Sequence, residues 1–479
     1  MSDRFGSVSA HLRRLLVSSA IAGFATSLAF GQARHDDKEE HNSGTVARWS
    51  GGGWVSGAGG NPPITFPSLN VELLSWTSLD DMTGGDNGAD CWGYVSPSGR
   101  EYALMGTFNG VSIIEVTNPR MPVVRAVVDG VDNLWRDVCV YQNYMYVCSE
   151  ATGSGVQVVN LANIDNGVAT LVRTVNTPGT SRTHTIFVDE VSGFLYRAGG
   201  TTNGIRMYSL SNPANPTFVG DWQDRYVHEC QVVTYTSGVY AGKQIAFLST
   251  GYTGRLEIVD VTNKAAPINL GVVGYPNPGY SHQSWLSEDR QFAYLNDELD
   301  EHNGIINNTT THIFNVSNLS APVWVGSYSA GTTVVGHNLY VHDGFIYQAD
   351  YVDGLNVFDQ SNPLAPVRVA YFDTEPTSSA PVFDSAWGNY PFLPSGNVLI
   401  SDLEKGLFVV DVNLPIAGDV NCDGVVSVGD IAAFVLALTD SAGYATQYPN
   451  CPVGNADIND DNFITVGDIA GFVSLLTGV

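Results

Sequence analysis

Twice near the C-terminus, oxygen-bearing side chains fall at a spacing that suits a hard cation. Asp419, Asn421, Asp423, Ser427 and Asp430 occupy positions 1, 3, 5, 9 and 12 of one twelve-residue stretch, with Gly424 at position 6. Asp457, Asn459, Asp461, Thr465 and Asp468 repeat the pattern, with Asn462 at the turn position. Carboxylates, amides and hydroxyls at these intervals, completed by the backbone carbonyls of Val425 and Phe463 at position 7, wrap Ca²⁺ in an EF-hand-type loop. Two calcium ions are expected, although Asp stands at position 12 where Glu is usual. A second set of residues has different chemistry: His184, His228, His282, His337, Asp297 and Glu298. Imidazoles and carboxylates brought to one place hold a metal or exchange a proton, so these six are the catalytic candidates. The acidic run from Asp297 to His302 is the least repeat-like stretch and the preferred position. No nucleophile elbow, phosphate loop or zincin motif accompanies them.

The elements that must position the second set are repeats. A glycine followed by alternating apolar residues recurs as GVSIIEV at 110–116, GVQVVNL at 155–161, GIRMYSL at 204–210, GRLEIVDV at 254–261, GLNVFD at 354–359 and GLFVVDV at 406–412, with THIFNV at 311–316 in the same role. Each copy is preceded by two strand-like runs and mostly followed by an Asn-Pro turn and a fourth run. The units begin near Asp90, Asp137, His184, His228, His282, His337 and Ser385, about 45 to 55 residues apart, the blade period of a β-propeller. The seventh unit lacks its fourth strand, and the orphan run Asn70 to Trp76 supplies it, closing the ring and leaving no open sheet edge. The fold class is therefore mainly β: a seven-bladed propeller over 69–412, a linker at 413–417 and a small helical calcium domain over 418–479.

In a propeller the start of each first strand and the end of each second strand open on one face. That places the four histidines beside Glu150, Asp297, Glu298, Asp350, Asp402 and Glu404, with Trp92, Trp135, Arg136, Arg182, Arg225, Tyr226 and Tyr280 on the rim. Aromatic plates beside polar groups suit sugars or peptides. A repeat that sets His at one position also explains the alignment without chemistry, since buried polar groups pair with neighbours in any fold.

Residues 1–33 carry three arginines, an apolar run from Leu15 to Phe30 and small residues near Ala33, the pattern of a secretory signal peptide. No later run is long enough for a transmembrane helix. Residues 34–68, polar and then Gly-rich, are expected to form a flexible leader. The net charge of −27 argues against nucleic acid, which requires a basic patch, and suits cations. Six cysteines in a secreted chain favour disulfides. Cys422 with Cys451 is the best pair. Cys139 and Cys148 flank a hairpin that would set them opposite each other, as a cross-strand bridge or two adjacent thiols, and Cys91 and Cys230 stay unassigned.

Each calcium loop runs into an amphipathic helix, with Ile431, Phe434, Val435 and Leu438 in one half and Ile469, Phe472, Val473 and Leu476 in the other. The duplicated loop-helix unit with Asp at position 12 resembles a type I dockerin over 418–479, apart from the long Thr439 to Asn455 connection and the Cys422–Cys451 pair that would staple it. That resemblance implies a cohesin-like protein partner. The runs Asp90-Cys-Trp-Gly-Tyr94, Trp135-Arg-Asp137, Ser281-His-Gln-Ser-Trp-Leu286, Asn296-Asp-Glu-Leu-Asp-Glu301, Gly336-His-Asn-Leu-Tyr340 and Ser401 to Phe408 look like the LVIVD-repeat propellers of the choice-of-anchor B family. The family implies a secreted propeller joined to a surface-attachment module. The expected function is extracellular binding or scaffolding, displayed through the tail. The competing reading is an enzyme acting on a glycan or related substrate at the His and carboxylate face, since dockerin tails accompany polysaccharide-degrading enzymes.

Overall fold

The computed structural model of the chain describes residues 46–82, 87–176, 181–414, 416–449, 451–459 and 463–477. The expected signal peptide at 1–33, the start of the expected leader, Asp461 and Asn462 lie outside the described residues. Seven antiparallel sheets form a propeller, the first three strands of each blade running outward in chain order from an inner strand. Blade 1 shows the rule. Its inner strand Gly88–Val95 and second strand Glu101–Thr107 are almost wholly buried, whereas its outer strand Val123–Asp129 alternates exposed and half-buried residues. Inner strands therefore read as continuous apolar runs and outer strands as alternation, because only the outer face meets water. Opposite the third strand, the outer strand skips one residue, between the partners of Ile113 and Ile114, Val158 and Val159, Met207 and Tyr208, Ile258 and Val259, Ile313 and Phe314, and Val357 and Phe358. A bulge at this place raises the local twist. Tyrosines near the start of second strands tie blade to blade: Tyr102 donates to Asp165, Tyr146 to the Pro213 carbonyl, Tyr196 to Gln244 and Tyr294 to Gln360.

The ring closes as the repeat count requires. Val71–Thr77 pairs antiparallel with Gly406–Val412 as the outer strand of blade 7. Trp76 is buried there, stacked on Phe408 at 5.4 Å, with its indole N–H on the Lys405 carbonyl. The expectation of a flexible leader fails from Val46 onward. Trp54–Val55 adds a fifth strand to blade 7 and Ser68–Leu69 a fifth to blade 6. The cause is apolar: Phe66 is buried, and Trp49, Trp54 and Ile64 pack on the same core, which the Gly-rich composition between them masks. Among the described residues no helix is long and apolar enough to cross a membrane.

The tail is a separate helical unit with its own core. Helices Ile431–Thr439 and Asp468–Thr477 meet through Phe434 and Phe472, stacked at 4.0 Å. A further helix, Ser441–Gln447, occupies the connection that spacing left unassigned, anchored by Tyr444, whose hydroxyl donates to the Val420 carbonyl at 2.9 Å. Cys422 and Cys451 are bridged. The expected helix faces are only half right. Ile431 and Val435 remain 45% and 50% exposed and Ile469 and Val473 42% and 49%, because the core is filled by Ala433, Ala437 and Tyr444 instead. Cys139 and Cys148 are not opposite each other: Cys139 faces Tyr146 and Cys148 faces Asp137, and both are free thiols in the buried core.

Candidate functional site

Bulges decide what the inner strands present to the channel. In blade 5, Ser281 pairs with Asp297 and Gln283 with Asn296, so His282 is the extra residue between them. Trp387 is the extra residue of blade 7 in the same way, and Asp90 lies inside the corresponding irregularity of blade 1. Bulges of this kind re-aim a side chain at the cost of one ladder pair.

Four of the expected residues form a file of imidazoles. Ring centroids are 4.0 Å apart between His184 and His228, 4.5 Å between His228 and His282, and 4.3 Å between His282 and His337. Outer groups hold three of the Nδ1 atoms. His184 Nδ1 bonds Glu150 at 2.6 Å, His228 Nδ1 lies 3.0 Å from the Tyr280 hydroxyl, and His337 Nδ1 donates to the Trp387 carbonyl. Glu298 closes the end of the file, with one carboxylate oxygen 3.4 Å from His282 Nε2 and the other 3.6 Å from His337 Nε2. The Tyr351 hydroxyl donates to Glu298 at 2.7 Å. Tyr351 is held at φ +40°, a left-handed conformation that is strained for a bulky side chain.

Asp297, the remaining candidate, is not part of this group. Its carboxylate accepts from the Tyr275 hydroxyl and from the backbone N–H groups of Gly279, Tyr280, Leu299 and Asp300. It is a loop organiser, as Asp402 is in blade 7, where it accepts from the N–H groups of Glu404 and Lys405. Two adjacent acids of the same run thus have different roles. Glu229, whose ligand atom lies within 4.8 Å of those of His184, His228 and His282, was missed, because strand alternation argues against His228 and its neighbour sharing a site. Further along the channel wall, burial and the charge of Asp137 push the Asp90 carboxyl well above its ordinary range, and burial lifts Asp137 to about 6. Neighbouring buried carboxyls disfavour a second charge, which keeps a proton on the pair to higher pH. Burial also raises Asp350 to about 7.

Several of the expected rim groups are engaged in the protein's own contacts. Arg136 donates to the Thr107, Phe108 and Val131 carbonyls, Arg182 bonds Thr152, and Arg225 pairs with Glu257 at 2.6 Å. Tyr280, Leu299, Val335, Tyr351, Phe383 and Trp387 form a buried apolar cluster with Trp135 and Tyr226 packed on it. Beneath it His282, Glu298 and His337 are at most 1% exposed. The cavity lined by Asp90, Trp92, His184, Glu229, Trp285 and Tyr340 measures about 40 Å³. A volume of that size holds a few waters or an ion and no sugar ring.

In the tail, Asp419 accepts from the N–H groups of Asp423 and Gly424, and Asp430 from those of Asn421 and Ser427. The second loop is wired alike: Asp468 accepts from Ile458, Asn459 and Thr465. Burial, and secondarily the nearby Asp430 and Asp423 charges, raise Asp419. Asp468 is lowered despite burial, because those three backbone N–H groups favour its charged form.

The ring is similar to several solved propellers. A protein from Lactobacillus plantarum is 14% identical with a TM-score of 0.47, covering 61% of this chain and 85% of that one. The periplasmic gluconolactonase PpgL of Pseudomonas aeruginosa is 13% identical with a TM-score of 0.45, covering 60% and 88%. A putative 6-phosphogluconolactonase from Bacteroides fragilis is 10% identical with a TM-score of 0.46, covering 67% and 89%. Likenesses at this level say nothing about chemistry. No curated protein matches the sequence. The sixth blade, residues 336–374, matches the LVIVD repeat.

Proposed function

We infer that this chain is a secreted propeller of the choice-of-anchor B kind, working as a binding or scaffolding module and held in place through a dockerin-like tail that folds around two calcium ions. The observation that carries the attachment role is a duplicated apolar surface. Val425, Val428, Ile431 and Val435 are 61%, 77%, 45% and 50% exposed in one half. Their counterparts Phe463, Val466, Ile469 and Val473 are 69%, 81%, 42% and 49% exposed in the other. Scattered exposed apolar residues need no explanation, but a matched stripe beside each cation loop suits a protein partner that reads calcium-loaded loops. Calcium fits the loops because Asp419, Asp423 and Asp430 crowd one small volume with oxygen donors, and a dication relieves their repulsion. Binding couples to folding, since the ligands converge only in the closed loop.

Titration of the full chain with Ca²⁺ tests this. About two ions per chain are expected, with a gain in helix, and both are lost in Asp419→Ala with Asp457→Ala. A cohesin-type module should bind only with Ca²⁺ present, and Val428→Asp with Val466→Asp should abolish capture while leaving the Ca²⁺ isotherm intact. Ca²⁺ binding without a helix gain would refute the folding role.

The enzyme reading keeps one observation on its side, the convergence of His282, His337 and Glu298. Their burial disfavours a glycan substrate, which cannot reach them unless the cover opens. Turnover of any polysaccharide, lost in His282→Ala, would favour it.

A further inference from the structure

The geometry points to a transition-metal centre at the end of the imidazole file, in which His282, His337 and Glu298 hold one first-row divalent ion. This centre is separate from the tail loops and independent of their calcium.

Three observations carry it. The first is donor spacing. Ligands placed about 2.0 to 2.1 Å from a metal are about 3.0 Å apart at the edge of an octahedron and about 3.4 Å apart at the edge of a tetrahedron. The Glu298 oxygens lie 3.4 Å from His282 Nε2 and 3.6 Å from His337 Nε2, so these two contacts already span such edges with little movement. The three ligand atoms as a group lie within 4.8 Å of one another.

The second is orientation. His337 Nδ1 is directed at the Trp387 carbonyl, which can only accept, so Nδ1 is the donor there and Nε2 is the ring nitrogen that faces Glu298. Imidazole N–H to backbone carbonyl, and tyrosine hydroxyl to ligating carboxylate, are the outer contacts that orient metal ligands. His337 has the first, and Glu298 has the second from Tyr351 at 2.7 Å.

The third is donor chemistry and setting. Two imidazoles and one carboxylate suit zinc, iron, cobalt or manganese, whereas calcium and magnesium prefer oxygen alone and copper(I) prefers sulfur. Three protein ligands leave coordination positions open, and a cavity of about 40 Å³, room for a few waters, is lined by Gln283 and Asn338, the residues that follow His282 and His337 in the chain. The bulge that makes His282 an extra residue, and the left-handed backbone at Tyr351, are the local costs of assembling the set from two blades.

The test uses the full chain, stripped with a chelator, reloaded with Ca²⁺ and dialysed against Co²⁺. About one Co²⁺ per chain is expected, as one such site implies, with the visible absorption of a nitrogen- and oxygen-ligated ion. His282→Ala and His337→Ala should weaken binding about 100-fold or more, and the shape-conserving Glu298→Gln and Tyr351→Phe about 10- to 100-fold. Asp419→Ala with Asp457→Ala should leave Co²⁺ binding unchanged. If a histidine variant fails to fold, X-ray absorption on the wild-type Co²⁺ form decides: imidazole backscattering supports the centre and an oxygen-only shell overturns it. Absence of retained Co²⁺, equal retention by Glu298→Gln and wild type, or loss of Co²⁺ in the tail variant would each overturn it.

Discussion

In the tail, Asp419, Asp423 and Asp430 stand within one short loop and are steadied by the backbone of that same loop. In the channel, Glu298 meets His282 of its own blade and His337 of the next, while Tyr351 steadies it from beyond the second strand of blade 6. Both places gather negative charge. The tail does so near water, with oxygen donors whose order is written in consecutive residues. The channel does so under an apolar cover, with imidazoles that meet only if the ring closes. Local spacing can encode a hard-cation loop, whereas a buried His and carboxylate set is a property of the whole ring.

That contrast can be broken most forcefully at the seam. Trp76→Ala removes a buried indole stacked on Phe408 and should cost the ring about 3–5 kcal/mol. The upper transition in calorimetry should fall, and Co²⁺ retention with it, while the Ca²⁺ isotherm stays. Opening the tail is the converse test. The Cys422–Cys451 bridge closes a separation of 29 residues, so Cys422→Ser with Cys451→Ser should destabilise the tail alone by about 3 kcal/mol, seen as a lower melting of its helical signal. Within the channel, Asp297→Asn and Glu298→Gln should separate. Asp297 gathers five donors, so its loss should lower ring stability by about 2 kcal/mol. Glu298→Gln should act mainly on the ion.

The smallest effect concerns pH. Asp137 has a folded pKa of about 6, raised above the ordinary value near 3.9, so the folded state holds its proton more tightly than the unfolded state. Its contribution to stability is present in full below about pH 4 and is lost as pH rises through 6. The wild-type ring should lose melting temperature over that window relative to Asp137→Asn. A parallel pH dependence in both proteins would remove Asp137 from the account.

The blade period and the seam strand were legible because each depends on spacing along a few consecutive residues. The convergence of His184, His228, His282 and His337 was legible too, since a repeat carries one position to one place. What was not legible depends on irregularity or distance. Nothing in Asp297-Glu298 says which acid organises the loop and which faces the channel. The bulge at His282 follows from its register with Asn296 and Asp297, which composition does not reveal. Arg136 looked available because its carbonyl partners Thr107, Phe108 and Val131 lie outside its own strand. The leader looked unstructured because its four apolar anchors are spread between glycines and polar residues.

Element-resolved anomalous diffraction from crystals of the full chain grown with Ca²⁺ and Co²⁺ addresses the central claim most directly. A Co²⁺ peak between His282, His337 and Glu298, and Ca²⁺ in the loops of Asp419 and Asp457, is the predicted result. Co²⁺ confined to the tail loops, with no peak in the channel, would contradict it.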